Sequence, residues 1–194
     1  MACTLMHMAI GKRYCEKHPD EDYKDLLLGS NLPDMTADKN TTHFGNTIRG
    51  LTYLEYAKRK IDLDAVVEKI PLNSSLNRGI FLHLISDYVF FNDIRLKIDK
   101  ERIKTTLVRD MAHDSDLDYN YFSELLLSKY DIDFNDIPEY LRKFISKPEQ
   151  DHAIFYDENE VFNYIEKMSD FNLEKVRDAI INKHYEIFDI KWCE

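Results

Sequence analysis

Gly79-Ile80-Phe81-Leu82-His83-Leu84-Ile85-Ser86-Asp87-Tyr88-Val89-Phe90-Phe91 is the most apolar stretch of the chain. The pattern predicts a helix over about 76–91, and a helix apolar nearly all round is central and buried. Within it, His83 and Asp87 stand at i and i+4, one turn apart on one face. A buried carboxylate without a partner costs on the order of several kcal/mol, so Asp87 must be paired or bind a metal. Two readings are open for the pair. One is a core histidine hydrogen-bonded to its own aspartate. The other is half of a divalent-metal site, an imidazole nitrogen and a carboxylate oxygen converging on one point.

Working outward, helical spacing recurs almost everywhere. Leu5, Met8, Ala9 and Tyr14 predict a first helix over 4–17 with Thr4 as N-cap. A short helix over 20–28 follows, with Gly29 as its stop. Residues 30–45 read as a long polar loop held down by Leu32, Pro33, Met35 and Phe44, and loops of that length in a compact domain are commonly functional. Further helices are predicted over 46–60, from Asp62 or Asp64 to Ile70, over 101–112, 115–130 and 138–146, and at the end over 158–168 and 173–187. Residues 148–157 read as a linker to the last two. The chain is thus expected to be all-α, a compact multi-helix bundle. Its 194 residues suit one domain spanning 1–194. Five glycines and five prolines are too few for a turn-rich β-sandwich or barrel.

The 26 basic and 36 acidic residues give a formal net charge of −10, which argues against nucleic acid or anionic lipid as a partner. No apolar run approaches the ~18 residues of a membrane span, so stable membrane anchoring is not expected. Cys3, Cys15 and Cys193 make an odd count without C-x-x-C spacing, which fits a reducing compartment. Residues 1–10 read as the start of a mature domain and not as a secretory signal. A cytoplasmic location is expected.

His7 falls on the apolar face of the first helix, and Asp34 and His43 bracket the long loop. Taken singly, His7 is a core histidine, Asp34 a turn residue and His43 a helix cap. Taken with His83 and Asp87 they are three imidazoles and two carboxylates, a mixture that zinc accepts. Ser86 has no sequence relay for nucleophilic catalysis. His18, His152 and His184 lie in polar surroundings and read as surface residues.

Thr4-Leu5-Met6-His7, Leu28-Gly29-Ser30-Asn31-Leu32-Pro33-Asp34, Thr42-His43-Phe44 and Gly79 to Asp87 occur in that order. Together they resemble the zinc-dependent phospholipase C family, which includes secreted bacterial phosphatidylcholine phospholipases C and small bacterial relatives. The resemblance covers about residues 4 to 93. It implies an all-α fold with one to three zinc ions in a cleft, other divalent metals being alternatives. Asp34, His43, His83 and Asp87 match the ligands of one zinc. His7 and Asp87 match part of a second, whose terminal tryptophan has no counterpart here. A third zinc uses a His-x3-Glu pair that this sequence lacks. His113 and Asp114 are the substitute ligands considered for it, and the acidic start of the 115–130 helix is the alternative reading of that cluster.

The activity so implied is hydrolysis of a phosphoric ester, a phosphodiester or phospholipid-like substrate, assisted by metal-acidified water. Asp34 is the residue that would orient or deprotonate that water. The alternative is a helical metal-binding protein without phospholipase activity.

Overall fold

The computed structural model describes residues 3–45, 61–95, 108–143, 145–153 and 155–190. Among them the chain is helical and forms no strand; one antiparallel bridge joins Gly45 to Ile61. The expected helix over 46–60, the 101–107 part of another, and Cys193 lie outside the described residues.

Helix α1 spans Thr4–Lys17 as expected, but its N-cap is Cys3, not Thr4, and the Cys3 side chain makes no capping bond. Helix α2 spans Tyr23–Asn31, with Asp22 accepting from the Asp25 N–H at 2.9 Å. It runs straight through Gly29, which therefore is not a stop. A Cβ on Gly29 would fall 2.1 Å from the Leu76 carbonyl oxygen, and one on Gly79 would fall 2.2 Å from the Leu26 carbonyl oxygen. The two glycines let α2 cross the central helix α5, Ser75–Val89, backbone against backbone.

The loop over 30–45 is more ordered than expected. It contains the end of α2, a 3-10 turn Leu32–Asp34 and the one-turn helix α3, Lys39–Thr42. Thr42 Oγ1 donates to the Pro33 carbonyl at 2.8 Å and ties the turn to α3. Pro33 is buried, whereas Leu32, expected to help hold the loop, is exposed. Helix α4, Leu63–Lys69, starts at Asp62, whose carboxylate accepts from the Ala65 N–H at 3.1 Å. Ser74 caps α5 through the Asn77 N–H at 3.2 Å, and a π turn, Phe90–Ile94, continues it.

Instead of separate helices over 101–112 and 115–130, one helix α6 spans Val108–Lys129. Residues 113–118 thus lie inside a helix, and the acidic cluster there is not an N-terminal turn. Asp118 has a different role. Fully buried, it accepts from the N–H groups of Phe155 and Tyr156 at 2.8 and 3.1 Å and from Gln150 Nε2 at 3.1 Å. The predicted linker is thereby fastened to α6. Helix α7 is only Glu139–Arg142. Helices α8, Glu158–Ser169, and α9, Leu173–Ile181, close the chain. Helix α9 ends before the expected 187 because Lys183 adopts φ 60° and the following turn carries Phe188 into the core.

One cluster of buried side chains runs from Leu5 through Leu26, Phe81, Phe122 and Ile165 to Phe188, so α5 is buried by elements from both ends of the chain. The low-dielectric interior around α5 is where the polar residues of the sequence pattern converge.

Candidate metal centre

The glycine crossing determines where His83 points. Ser30 is in the last turn of α2, where carbonyls have no partner within the helix. Its oxygen lies 2.7 Å from His83 Nδ1. A carbonyl only accepts, so Nδ1 carries the proton and Nε2 presents a lone pair. The same device recurs at His43. Its Nδ1 is 2.8 Å from the Lys39 carbonyl, one turn earlier, and its Nε2 faces inward. At His7, Nδ1 is 3.1 Å from Ser86 Oγ. The Ser86 hydroxyl already donates to the His83 carbonyl at 2.8 Å, so it accepts from His7. Tyr164 supports this part of α5 from α8, donating to the Ser86 carbonyl at 2.9 Å.

Three imidazoles thus turn Nε2 toward two carboxylates. His43 Nε2 and His83 Nε2 are 3.0 Å apart. His43 Nε2 stands 3.5 Å from Asp34 Oδ1 and 3.5 Å from Asp87 Oδ2. His83 Nε2 is 3.9 Å from Asp87 Oδ2, and His7 Nε2 is 3.4 Å from Asp87 Oδ1. The His7 and His83 rings stack with centroids 3.7 Å apart. All five side chains are buried.

Burial disfavours the charged imidazole, pushing His83 down to about 3 and lowering His43 from its ordinary value. Burial would raise the carboxyl of Asp87, but His7 and His83 beside it hold it well below the usual range. Burial of Asp34 is likewise outweighed by His83, His7 and Lys39, and its carboxyl is lowered. The centre therefore combines ionised carboxylates with the neutral rings of His43 and His83, whose Nε2 lone pairs face each other.

These residues fit a metal ion. His7, His83 and Asp87 form one group whose ligand atoms lie within 4.8 Å of one another; Asp34, His43 and His83 form a second. Two nitrogens bound to one zinc at about 2.0–2.1 Å in tetrahedral geometry stand about 3.3 Å apart, close to the His43–His83 spacing. His7 Nε2 is buried and has no hydrogen-bond partner, as expected of a nitrogen reserved for an ion. The Nδ1 anchors on Ser30, Lys39 and Ser86 are the outer partners that orient ligating imidazoles.

All five residues read from the first half of the sequence are brought together. His113 and Asp114 are not part of either group; His113 is exposed and Asp114 half-buried on α6. His18 stacks on Tyr14 at 4.0 Å, away from the centre, and His152 and His184 are exposed. Ser86 is a positioning residue, and Tyr164 and the Ser30 carbonyl were not legible as partners because each comes from another element.

Beside the centre lies a cavity of about 720 Å3, lined by Asp34, Lys39, Arg95, Ser115, Asp116 and Tyr119 among others. Asp34 belongs to both the metal groups and the cavity wall. Lys39 Nζ holds its Oδ1 at 2.8 Å. Arg95 follows the π turn and is buried, its guanidinium 5.2 Å from the Phe91 ring centroid and 3.4 Å from Ser115 Oγ. The π turn changes the rotation after Val89 and aims residue 95 inward.

No protein-family model, no curated protein and no solved structure matches this chain. Among the described residues no helix is long and apolar enough to cross a membrane.

Proposed function

We propose that this protein is a metal-dependent phosphoric ester hydrolase, resembling zinc-dependent phospholipase C, that cleaves a phosphodiester. The observation that carries the reading is the pair of facing Nε2 lone pairs of His43 and His83 beside two carboxylates, opening through Asp34 onto a cavity. His7, Asp34, His43, His83 and Asp87 would hold the ion, with zinc the best match to their chemistry. When bound, zinc supplies Lewis acidity to a phosphoryl oxygen and a water whose pKa falls to about 7.

The protein's own groups do the rest. Asp34 is the one metal-group carboxylate that also lines the cavity, so it is placed to orient the attacking water and accept its proton. Lys39 donates to that carboxylate at 2.8 Å, fixing its direction and, after His83 and His7, helping to keep it ionised. The Ser30, Lys39 and Ser86 anchors hold the rings in one tautomer. The setting is a reducing compartment, the cytoplasm, consistent with Cys3 and Cys15 as free thiols.

A second reading is a helical protein that keeps a metal for stability alone. It draws on the complete burial of His7, His83 and Asp87, a closed group of the structural type. Elemental analysis of the purified protein, followed by turnover of bis(p-nitrophenyl) phosphate with and without chelator, separates the two. Stoichiometric metal with chelator-sensitive turnover supports the hydrolase. Stoichiometric metal with no turnover of any phosphodiester supports the structural reading.

A further inference from the structure

We infer that the side of α6 lining the cavity is a subsite for a neutral, polyhydroxylated alcohol, the part of the phosphodiester beyond its phosphorus. The inference names a substrate class for the hydrolase reading and rests on that reading for the phosphorus itself. Ser115, Tyr119, Asn120 and Ser123 line the same cavity as Asp34. Their spacing of i, i+4, i+5 and i+8 puts them on one side of α6. At 1.5 Å per residue the row from Ser115 to Ser123 is about 12 Å long.

The hydrogen-bonding capacity left on this row is neutral. Ser115 and Ser123 are 2% and 5% exposed. Ser115 Oγ accepts from Arg95 at 3.4 Å, which leaves its own proton to donate. Ser123 Oγ donates to the Tyr119 carbonyl at 2.8 Å, which leaves its lone pairs to accept. The Asn120 carboxamide, with two donors and an acceptor, makes no hydrogen bond among the described residues. The row therefore offers a donor at 115, both kinds at 120 and an acceptor at 123. Hydroxyl groups, which donate and accept, satisfy all three.

The charged side chains of the same wall have partners within the protein. Lys39 donates to Asp34 at 2.8 Å. Arg95 reaches Ser115 and the Phe91 ring. Lys143 Nζ lies over the Tyr140 ring, 4.0 Å from its centroid. Burial raises the Asp116 carboxyl, and His113, Arg95 and Lys39 act against it. The wall therefore does not select a charged alcohol. A quaternary ammonium group is recognised by aromatic faces. Here Tyr140 already carries Lys143, and Tyr119 stacks on Tyr156 with centroids 6.0 Å apart.

The test is calorimetric titration of glycerol 1-phosphate, glucose 1-phosphate, methyl phosphate and phosphocholine into the metal-loaded full-length chain, with metal content measured in parallel. At least one of the two hydroxylated esters is expected to bind roughly tenfold or more tightly than methyl phosphate, as two or three added hydrogen bonds require, and phosphocholine is not. Asn120→Ala and Ser123→Ala should each weaken that ester roughly 2–10-fold while methyl phosphate affinity and metal content stay as in wild type. Both place alanine, the best helix former, inside α6. Ser115 is left intact because buried Arg95 bonds to it. Should a variant not fold, the ranking of the four ligands on the wild-type protein decides. Both hydroxylated esters binding no more tightly than methyl phosphate, or a preference that survives both substitutions, overturns the subsite. Competition by phosphatidylglycerol vesicles against glycerol 1-phosphate assigns the alcohol to a lipid headgroup, and its absence assigns it to a soluble ester; either supports the subsite. A preference for hydroxylated esters without turnover of any phosphodiester refutes the hydrolase and leaves the subsite. Turnover of bis(p-nitrophenyl) phosphate without that preference refutes the subsite and leaves the hydrolase.

Discussion

Nε2 of His43 and Nε2 of His83 face each other at 3.0 Å while the opposite nitrogen of each ring donates to a backbone carbonyl. Neutral rings in that arrangement have no proton to share. A cation relieves the contact, and the predictions below follow from it.

Metal should stabilise the fold by mass action. At a free zinc concentration a hundred times the dissociation constant, the gain is about 2.7 kcal/mol. For a chain of this size that corresponds to a rise in melting temperature of roughly 5–11 °C. Thermal melts with zinc and with chelator check it, and superimposed curves would count against the centre.

Asp87→Asn keeps the side-chain shape and removes the charge that offsets a divalent ion. Loss of an outer partner alone costs about 10–100-fold in metal affinity, and loss of this ligand should exceed that. Helical content should be retained, since Asp87 sits mid-helix in α5. Competition titration and far-UV circular dichroism read the two halves of the prediction separately.

The metal-free protein should lose stability in acid sooner than its carboxylates alone would require. His83 is held at about 3 against an ordinary 6.5, and His43 is lowered too, both by burial. The unfolded chain therefore binds more protons below 6.5 than the folded one. Stability should be full above 6.5 and fall as the pH drops from there toward 3. Urea midpoints across pH 4.5 to 7.5 should slope upward with pH, and His83→Asn should flatten the slope. A wild-type midpoint independent of pH in that interval would contradict the assigned protonation.

Gly79→Ala should be far more damaging than Gly11→Ala. The new Cβ at 79 would meet backbone, the Leu26 oxygen at 2.2 Å, whereas at 11 it meets the movable Leu27 Cδ2 at 2.9 Å. Overpacking costs about 1–3 kcal/mol, and rigid backbone on the other side puts Gly79→Ala at or above the top of that range. It should also lower metal affinity, because parting α2 from α5 moves Ser30 away from His83. Urea unfolding and metal content of the two variants make the comparison.

His113→Ala should leave metal content and melting temperature unchanged, His113 being exposed and outside both metal groups. A loss of bound metal would show that α6 contributes a ligand.

How much of this was legible in the sequence depended on range. His83 and Asp87 are four residues apart on one helix, so their shared face follows from helical geometry alone. Asp34 and His43 joined them only through the order of short motifs, because nothing local says that a polar loop packs on a distant helix. Gly29 was misread as a helix stop for the same reason. Its partner is Gly79, fifty positions away, and a glycine that permits a close crossing looks in sequence like one that ends a helix. The start of α6 was obscured by Asp114, Asp116 and Asp118, which read as a first turn although Asp118 is an interior anchor for residues 150–156.

The crossing of Gly29 and Gly79 also works as an index pin. Sliding α5 along α2 by one residue would bring Arg78 or Ile80 against the Gly29 backbone, where a Cβ has no room. Misaligned arrangements of these helices are therefore excluded sterically before any ion arrives. The metal then meets a frame whose alignment is already chosen, so its uptake reports a completed fold and does not direct one.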